Sequence, residues 1–279
     1  MGIKPTFIII EGLDGSGKSI AISAMKDWAE SKSFKILDMR EHWQNNTEYP
    51  SLSEIENYDA IITFEPTGSI LGKKIREEII KKGSEYTPLQ IADAFSEDRK
   101  EHYEKLIIPA LKKNMIIFQD RGVLSSLAYQ SLMDTKLTVD YLVNLEGNWT
   151  ALEHSPDTII ITDVNPSTAK ERIEARKKED NAIFEDFEFQ KKLNQNYRNS
   201  EIKEIFDERE TNIIFLDTNP PKTEADESEE FEEPDELVEA EEPDELVEAE
   251  EPDESEHDKL AEAEEPDEEE DQNKNKFSD

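Results

Sequence analysis

The chain has 279 residues, and its 69 acidic and 32 basic residues give a formal net charge of −37. This balance argues against a protein that binds nucleic acid through a basic surface. The absence of cysteine excludes a disulfide scaffold, a thiolate metal site and a cysteine nucleophile. No apolar run approaches the ~18 residues that a membrane span needs, and no secretion signal precedes the first predicted strand. We therefore expect a cytoplasmic protein that does not bind membranes.

The negative charge is concentrated at the C-terminus. Residues 223–279 contain 30 acidic residues and 3 lysines, whereas residues 1–222 contain 39 acidic and 29 basic residues. The sequence EEPDELVEA occupies 232–240 and again 241–249, and shorter copies begin at Glu250 and Glu264. Each proline interrupts a helix, and the like charges repel one another. We predict a globular domain at 1–222 and a disordered acidic tail at 223–279, for which a basic protein is the expected kind of partner.

Short apolar runs alternate with helical patterns in residues 1–222. The strands are predicted at 7–10, 34–37, 60–64, 115–118, 158–161 and 212–216. The helices are predicted at 18–31, 70–81, 88–112, 124–133, 139–145, 167–178 and 187–209. The polar stretch 40–56 is predicted to be an excursion outside the core. The alternation is typical of βαβ units, so we expect an α/β fold in which helices cover both faces of a central parallel sheet, giving three layers.

A glycine-rich motif lies between the first strand and the first helix. Residues 12–19 match the P-loop pattern G-x-x-x-x-G-K-[ST], which binds nucleotide phosphates. Lys18 would reach the β- and γ-phosphates of ATP, and the Ser19 hydroxyl would bind Mg²⁺. The short chain shows no guanine-specificity sequence, which favours a small kinase. The residues expected around the phosphates are Gly12, Leu13, Asp14, Gly15, Ser16, Gly17, Lys18 and Ser19.

Three further motifs follow the P-loop. They are Phe64-Glu65-Pro66, Phe95-x-x-x-Arg99, and DRGVLSSLAYQ at 120–130. In this order they resemble the thymidylate kinase family, whose members have an E-P or F-P turn, an F-x-x-D-R helix and a D-R-Y-x-x-S-S-L-A-Y-Q segment. The resemblance covers about residues 3–217. It implies a P-loop kinase that phosphorylates dTMP with ATP and Mg²⁺, and that forms a homodimer.

The resemblance also assigns roles in the acceptor site. Phe95 would stack on thymine, Arg99 would donate a hydrogen bond to its O4 atom, and Arg121 would hold the 5′-phosphate. Asp14 would bind the 3′-hydroxyl of the sugar, and Tyr129 would crowd the 2′ position and so favour deoxyribose. The remaining expected contacts are Glu65 and Ser126 for dTMP and Asp120 for Mg²⁺ or its waters.

Several of these residues also have a structural interpretation when the family is left aside. Phe95 could be a core residue, Arg121 could form a surface ion pair, and Tyr129 could simply be buried. Asp120 could cap the helix that follows it.

The chain departs from the family pattern at several positions. Gly122 stands where the family has tyrosine, and Phe64 where arginine is common. The family carries its catalytic arginine either in the P-loop or in a lid, but neither 13–16 nor 180–185 contains an arginine. Arg172 and Arg176, in the preceding helix, are therefore expected to supply the positive charge.

Two other functions stay open at this point. A deoxynucleoside kinase would use Glu65 as the base that deprotonates a 5′-hydroxyl. A catalytically inactive, nucleotide-binding adaptor would use the acidic tail as its binding arm, and Gly122 and Asn181 favour this alternative. Product formation from dTMP compared with thymidine distinguishes the first alternative, and ATP binding without turnover would indicate the second.

Overall fold

The computed structural model describes residues 6–175 and 182–220. The predicted sites at Arg176 and Asn181, and the predicted tail at 223–279, lie outside the described residues. The strands are β1 (Phe7–Gly12), β2 (Ile36–Asp38), β3 (Ala60–Phe64), β4 (Ile116–Asp120), β5 (Thr158–Asp163) and β6 (Asn212–Asp217). They form one sheet in the order β2-β3-β4-β1-β5-β6, and every neighbouring pair is parallel. The predicted α/β fold with a central parallel sheet is confirmed.

Helices connect the strands and cover the sheet. They are α1 (Lys18–Ser31), α2 (Met39–Asn45), α3 (Leu52–Ile55), α4 (Ile70–Lys74), α5 (Pro88–His102), α6 (Ile108–Lys112), α7 (Val123–Gln130), α8 (Val139–Val143), α9 (Glu146–Glu153), α10 (Pro166–Ala175), α11 (Phe187–Asn196) and α12 (Ser200–Asp207). A π-helical turn extends α4, and another joins α5 to α6. Over the part of the chain that the structure describes, no helix is long and apolar enough to cross a membrane.

The strands are apolar on both sides because both faces of the sheet are covered. In β1, Phe7 and Ile9 belong to the larger core, on the side of α5 and α7. Ile10 faces the opposite side, where it packs with Ile22 of α1. Side chains of a strand alternate between its two faces, so a continuous apolar run serves two cores at once.

The carboxyl ends of three strands meet at the centre of the sheet. In the ladders, Asp120 of β4 is level with Ile10 of β1 and with Phe64 of β3. The residues that follow these positions therefore lie side by side at one edge. Ligands of open parallel sheets bind in this location, beyond the carboxyl ends of the strands.

The prediction that residues 40–56 lie outside the core is wrong. Trp43 of α2 and Ile55 of α3 are buried in the main core. The Asp38 side chain caps α2, and Ser51 and Glu54 form a capping box at α3. The segment has only about one apolar residue per turn. Its hydrophobic pattern was therefore too weak to predict the two short helices.

Candidate active site

The P-loop connects β1 to α1 in a conformation that requires glycine. Gly12, Gly15 and Gly17 have φ angles of 132°, 80° and 99°. A Cβ atom at Gly12 would lie 2.5 Å from Thr162 Oγ1, and therefore no larger residue fits there. The loop is also fixed from β5, because the Ser16 and Thr162 hydroxyl oxygens are 2.5 Å apart. Thr162, which the sequence motif did not indicate, is thus part of the support of the loop.

Lys18 lies inside the loop. Its side chain is buried, and Nζ donates to the carbonyl oxygens of Leu13 at 2.7 Å and Gly12 at 3.2 Å. Burial lowers the pKa of Lys18, the charge of Arg121 lowers it further, and Asp14 and Asp120 act in the opposite direction. A buried ammonium group held mainly by carbonyl groups is well suited to an anionic ligand, which would restore the stability of the charged form.

The residues expected to hold Mg²⁺ fit a cation. Ser19, in the first turn of α1, is exposed. Asp120 ends β4, and its Oδ1 atom is buried without a hydrogen-bond partner among the described residues. Its charge raises the pKa of Lys18. Asp120 does not cap α7, since the N-cap residue of that helix is Gly122. An unpaired carboxylate oxygen and a hydroxyl are the kind of hard oxygen ligands that Mg²⁺ prefers.

Arg121 lies at the mouth of the P-loop. Its Nη2 atom donates to Asp14 Oδ1 at 2.5 Å and its Nη1 atom to Ser125 Oγ at 3.2 Å. The guanidinium carbon is 5.3 Å from the ring centre of Tyr129. Arg121 has a φ of 63°, which is unfavourable for residues other than glycine. Such strained residues are typical of functional sites. Desolvation would raise the pKa of Asp14, but Arg121 and then Lys18 lower it to about 2.

A buried carboxylate, Glu11, holds β1 to the turn that carries Arg121. It accepts hydrogen bonds from the backbone N–H groups of Gly122 at 2.7 Å and Ser125 at 3.1 Å, and from Ser125 Oγ at 2.5 Å. Burial raises its pKa, while Arg121 and these hydrogen bonds oppose the rise. The Tyr197 hydroxyl, from the end of α11, lies 3.3 Å from the Gly12 carbonyl oxygen. The motifs did not indicate Glu11 or Tyr197, which together fix the P-loop relative to Arg121.

Helix α7 carries three buried polar atoms without partners among the described residues. They are Ser126 Oγ, Tyr129 Oη and Gln130 Oε1. The Tyr129 ring is bounded by Phe184, whose ring centre is 5.2 Å away, and by Phe189. Buried polar atoms are nearly always hydrogen-bonded, so these three side chains are candidates to bind a polar ligand. Ser126 and Tyr129 were predicted site residues, whereas Gln130 was quoted only within the motif.

Glu65 and Arg99 form a buried ion pair. Glu65 Oε2 accepts from Arg99 Nε at 2.8 Å and lies 2.7 Å from its Nη2 atom. Arg99 also donates to Asn148 Oδ1 and, at 3.2 Å, to the Gly122 carbonyl oxygen. His102 Nδ1 lies 3.0 Å from Glu65 Oε1. Burial would raise the pKa of Glu65, but the charge of Arg99 and the hydrogen bond from His102 keep it below its usual range.

Phe95 lies one turn from Arg99 on α5. It is half-buried and packs against the apolar cluster of Ile75, Ile79 and Ile91, so the core interpretation of Phe95 describes part of its surface. Asp98, between them, accepts hydrogen bonds from the N–H and hydroxyl groups of Thr67 and from the Ser69 hydroxyl. Asp98 is the acidic residue of the F-x-x-D-R pattern, and it orders the loop that follows Glu65.

Two further arginines lie near these groups. Arg172 donates to the carbonyl oxygens of Gly15 at 3.4 Å and Thr218 at 2.7 Å, beside the P-loop. Arg76 donates to the Pro66 carbonyl oxygen, and its guanidinium carbon is 5.6 Å from the Phe64 ring centre. Burial lowers the pKa of Arg76, although Asp98 opposes this. No salt-bridge partner of Arg76 is found among the described residues, which makes it a second cation available to an anionic ligand.

Comparison with known proteins identifies the family. The family profile described as thymidylate kinase matches residues 51–228. The chain belongs to the thymidylate kinase family. The thymidylate kinase of Mesoplasma florum is 36% identical over 182 residues, which cover 64% of this chain and 74% of that protein. The thymidylate kinase of Mycoplasma genitalium is 34% identical over 174 residues (62% and 70%), and that of Caldicellulosiruptor saccharolyticus 27% over 204 residues (73% and 85%).

The thymidylate kinase profile begins after the P-loop and includes the motifs at Glu65, Phe95 and Arg121. The structure brings most of the predicted site residues to the carboxyl ends of β1, β3 and β4. Family membership thus agrees with the expectation drawn from the motifs. The roles of the individual residues remain proposals.

Proposed function

We propose that this member of the thymidylate kinase family transfers the γ-phosphoryl group of ATP to dTMP, giving dTDP and ADP. The observation that carries the proposal is the position of Arg121. Its guanidinium group binds Asp14 inside the P-loop and covers the ring of Tyr129 on α7. A cation at this position can hold the acceptor phosphate beside the loop that holds the donor phosphates, which is what in-line transfer requires.

The side chains around Arg121 suit a thymine nucleotide. Thymine has two carbonyl oxygens and one N–H group, which the unpaired Ser126 hydroxyl and Gln130 amide can satisfy. Phe95 offers a partly exposed ring for stacking, and Tyr129 would lie near the 2′ position of the sugar. Arg99 is proposed as the donor to thymine O4, and its ion pair with Glu65 fixes the guanidinium group for that contact.

The reaction needs no general base. An oxygen of the dTMP phosphate forms a bond to the γ-phosphorus of ATP while the bond from that phosphorus to the β,γ-bridging oxygen breaks. The acceptor oxygen carries no proton, and the electron pair of the broken bond leaves with ADP. Lys18 and Arg121 would neutralise the charge that develops on the phosphates. Arg172 and Arg176 are the proposed lid cations, and Arg172 lies beside Gly15.

Ser19 and Asp120 are the proposed holders of Mg²⁺, directly or through its waters. Mg²⁺ supplies neutralisation of charge on the phosphate oxygens when it is bound. Asp120 also raises the pKa of Lys18, so the same carboxylate helps to keep the lysine charged.

The surroundings of Glu65 argue against a deoxynucleoside kinase. A base that removes a proton from a 5′-hydroxyl needs a free carboxylate oxygen and a pKa suited to proton transfer. Both carboxylate oxygens of Glu65 are already bound, to Arg99 and His102, and its pKa is lowered. The inactive adaptor is disfavoured because the chain has Lys18 in the P-loop and Asp120 and Arg121 at the end of β4, which are the residue types that phosphoryl transfer needs.

The family resemblance further supports a homodimer in the cytoplasm. The proposed domain is residues 1–222, and the acidic segment 223–279 is proposed to raise solubility or to bind a basic protein. Size-exclusion chromatography with light scattering tests the oligomeric state.

A comparison of dTMP with thymidine tests the proposed reaction against its closest alternative. The protein is incubated with ATP and Mg²⁺ and each acceptor, and the products are separated by ion-exchange chromatography. We expect dTDP from dTMP and no dTMP from thymidine. Formation of dTMP from thymidine would favour the deoxynucleoside kinase, and ATP binding without either product would favour the adaptor.

A further inference from the structure

Residues 39–56, here called the buttress segment, pack against the loop that follows β3. Trp43 of this segment is 5% exposed. A Cβ atom at Gly68 would lie 2.0 Å from Trp43 Cγ, so the indole ring touches the loop backbone where no side chain fits. The neighbours of Gly68, Thr67 and Ser69, are both hydrogen-bonded to Asp98. The loop 65–69 is therefore held between Trp43 on one side and Asp98 on the other.

Tyr49 packs between Trp43 and His102 of α5. Its ring centre is 4.9 Å from that of Trp43, in an edge-to-face arrangement, and 6.4 Å from that of His102. The ammonium group of Lys105 lies 5.5 Å from the Tyr49 ring centre. Edge-to-face rings and a cation above the ring are favourable geometries for aromatic contacts. Tyr49 thereby fixes the side of His102 that faces the buttress segment.

His102 connects this packing to Glu65. The imidazole is fully buried, with Nε2 2.8 Å from Thr63 Oγ1 and Nδ1 3.0 Å from Glu65 Oε1. Because an ionised carboxylate can only accept, the Nδ1–H group donates to Glu65. The other oxygen of Glu65 binds Arg99. A continuous set of contacts thus runs from the buttress segment to the ion pair in the proposed dTMP site.

We propose that the buttress segment sets the affinity for the acceptor monophosphate. Trp43 and Tyr49 would position the loop 65–69, and His102 would orient Glu65 and through it Arg99. All three are positioning residues, because they act through Glu65 or the loop rather than on the substrate. This inference rests on the proposed function, in which Glu65 and Arg99 belong to the dTMP site.

Kinetics of variants with a matched control test the inference. Tyr49→Leu removes the ring contacts with Trp43 and His102, and His102→Leu removes the hydrogen bond to Glu65. His102→Asn keeps a donor near the position of Nδ1. Trp28→Leu is the control, because Trp28 is a partly exposed aromatic residue on α1, where it contacts Phe118 on the opposite face of the sheet. The KM for dTMP, the KM for ATP, kcat and the melting temperature are measured for each full-length variant.

We expect Tyr49→Leu and His102→Leu to raise the KM for dTMP about tenfold, within the range that a small misplacement of a binding group costs. The KM for ATP should stay within about twofold, since the P-loop has other supports. His102→Asn should restore the KM for dTMP, and Trp28→Leu should leave it unchanged. If His102→Leu does not fold, Trp43→Phe compared with Trp28→Phe gives the same test.

A lowered melting temperature with an unchanged KM for dTMP would overturn the inference, and so would equal rises of both KM values. A wild-type protein that does not phosphorylate dTMP would overturn the proposed function together with the inference. If the wild-type protein phosphorylates dTMP and the folded variants have an unchanged KM for dTMP, the inference is overturned but the proposed function is not.

Discussion

Arg121 Nη2 and Asp14 Oδ1 are 2.5 Å apart, and this ion pair joins the turn after β4 to the P-loop. The two residues are 107 positions apart in the sequence. We propose that both residues bind the acceptor, Arg121 its phosphate and Asp14 its 3′-hydroxyl. The pair would therefore connect the proposed dTMP site to the phosphate-binding loop.

Asp14→Asn should lower the free energy of unfolding, by an amount that depends on pH. Because the pKa of Asp14 falls from 3.8 unfolded to about 2 folded, its stabilisation is complete above pH 3.8 and is lost as the pH falls towards 2. The side chain is 58% exposed, so solvent screening limits the effect to below about 1 kcal/mol. Urea unfolding of wild type and variant at pH 6 and pH 3 measures the difference. A difference that grows at the lower pH would contradict the ion pair.

Lys18→Ala should slow phosphoryl transfer strongly while the protein remains folded. Removal of a group that meets developing negative charge costs about 3 kcal/mol of transition-state stabilisation, or about 100-fold in kcat. Lys18 is held by the loop carbonyl groups of Gly12 and Leu13 rather than by core packing, so the melting temperature should change little. Steady-state kinetics and circular dichroism are the measurements. A variant with wild-type kcat would exclude the proposed role of the P-loop.

Phe95→Ala should raise the KM for dTMP much more than the KM for ATP. Stacking of an aromatic ring on a base contributes about 1–3 kcal/mol. Phe95→Leu, which retains contact with Ile75 and Ile91, controls for lost packing. If both variants lower stability but neither changes the KM for dTMP, Phe95 is a core residue only.

Substitutions of Tyr129 should separate the effect of its ring from that of its hydroxyl. The hydroxyl has no hydrogen-bond partner among the described residues, so Tyr129→Phe should keep the wild-type preference for dTMP if only ring bulk excludes the 2′-hydroxyl. Tyr129→Ala should accept ribonucleoside monophosphates, because the ring that crowds the 2′ position is gone. Relative kcat/KM for ribo- and deoxyribothymidine monophosphate measures the change. Unaltered selectivity in Tyr129→Ala would show that the assignment is wrong.

Truncation after Lys222 should leave kcat and the melting temperature nearly unchanged at 0.15 M salt. Among the described residues the last strand is β6, which ends at Asp217, and the Asn219 side chain accepts a hydrogen bond from the backbone N–H group of Asn165. Charges in the segment 223–279 are screened over about 8 Å at this ionic strength, so any change should be largest in KM at low salt. Loss of most activity at 0.15 M salt would show that the acidic segment belongs to the working enzyme.

The sequence was most informative where local pattern and chemistry coincide. The P-loop was predictable because phosphate binding requires glycine and lysine at fixed spacing, and in the structure Gly12 and Gly17 have positive φ angles. The parallel sheet was predictable because its strands are continuously apolar. The single helix predicted at 187–209 is instead two helices, α11 and α12, and α9 was not predicted.

Pairs that are distant in the sequence could not be predicted. Glu11 interacts with Ser125, and His102 with Glu65, only because the fold brings different strands and helices together. Trp43 appeared to lie in a polar excursion, since nothing local indicates that Gly68 receives its ring. Long-range contacts therefore supply most of the support around the site, whereas the motifs supply its chemistry.

The most direct test of the central claim is the relative kcat/KM for dTMP, dUMP, dCMP and dGMP with ATP and Mg²⁺. An acceptor pocket for thymine beside the P-loop predicts that dTMP is preferred over dCMP and dGMP by at least about 100-fold, since mismatched polar groups would be left unpaired. Equal kcat/KM values for all four monophosphates, or no turnover of dTMP, would contradict the account.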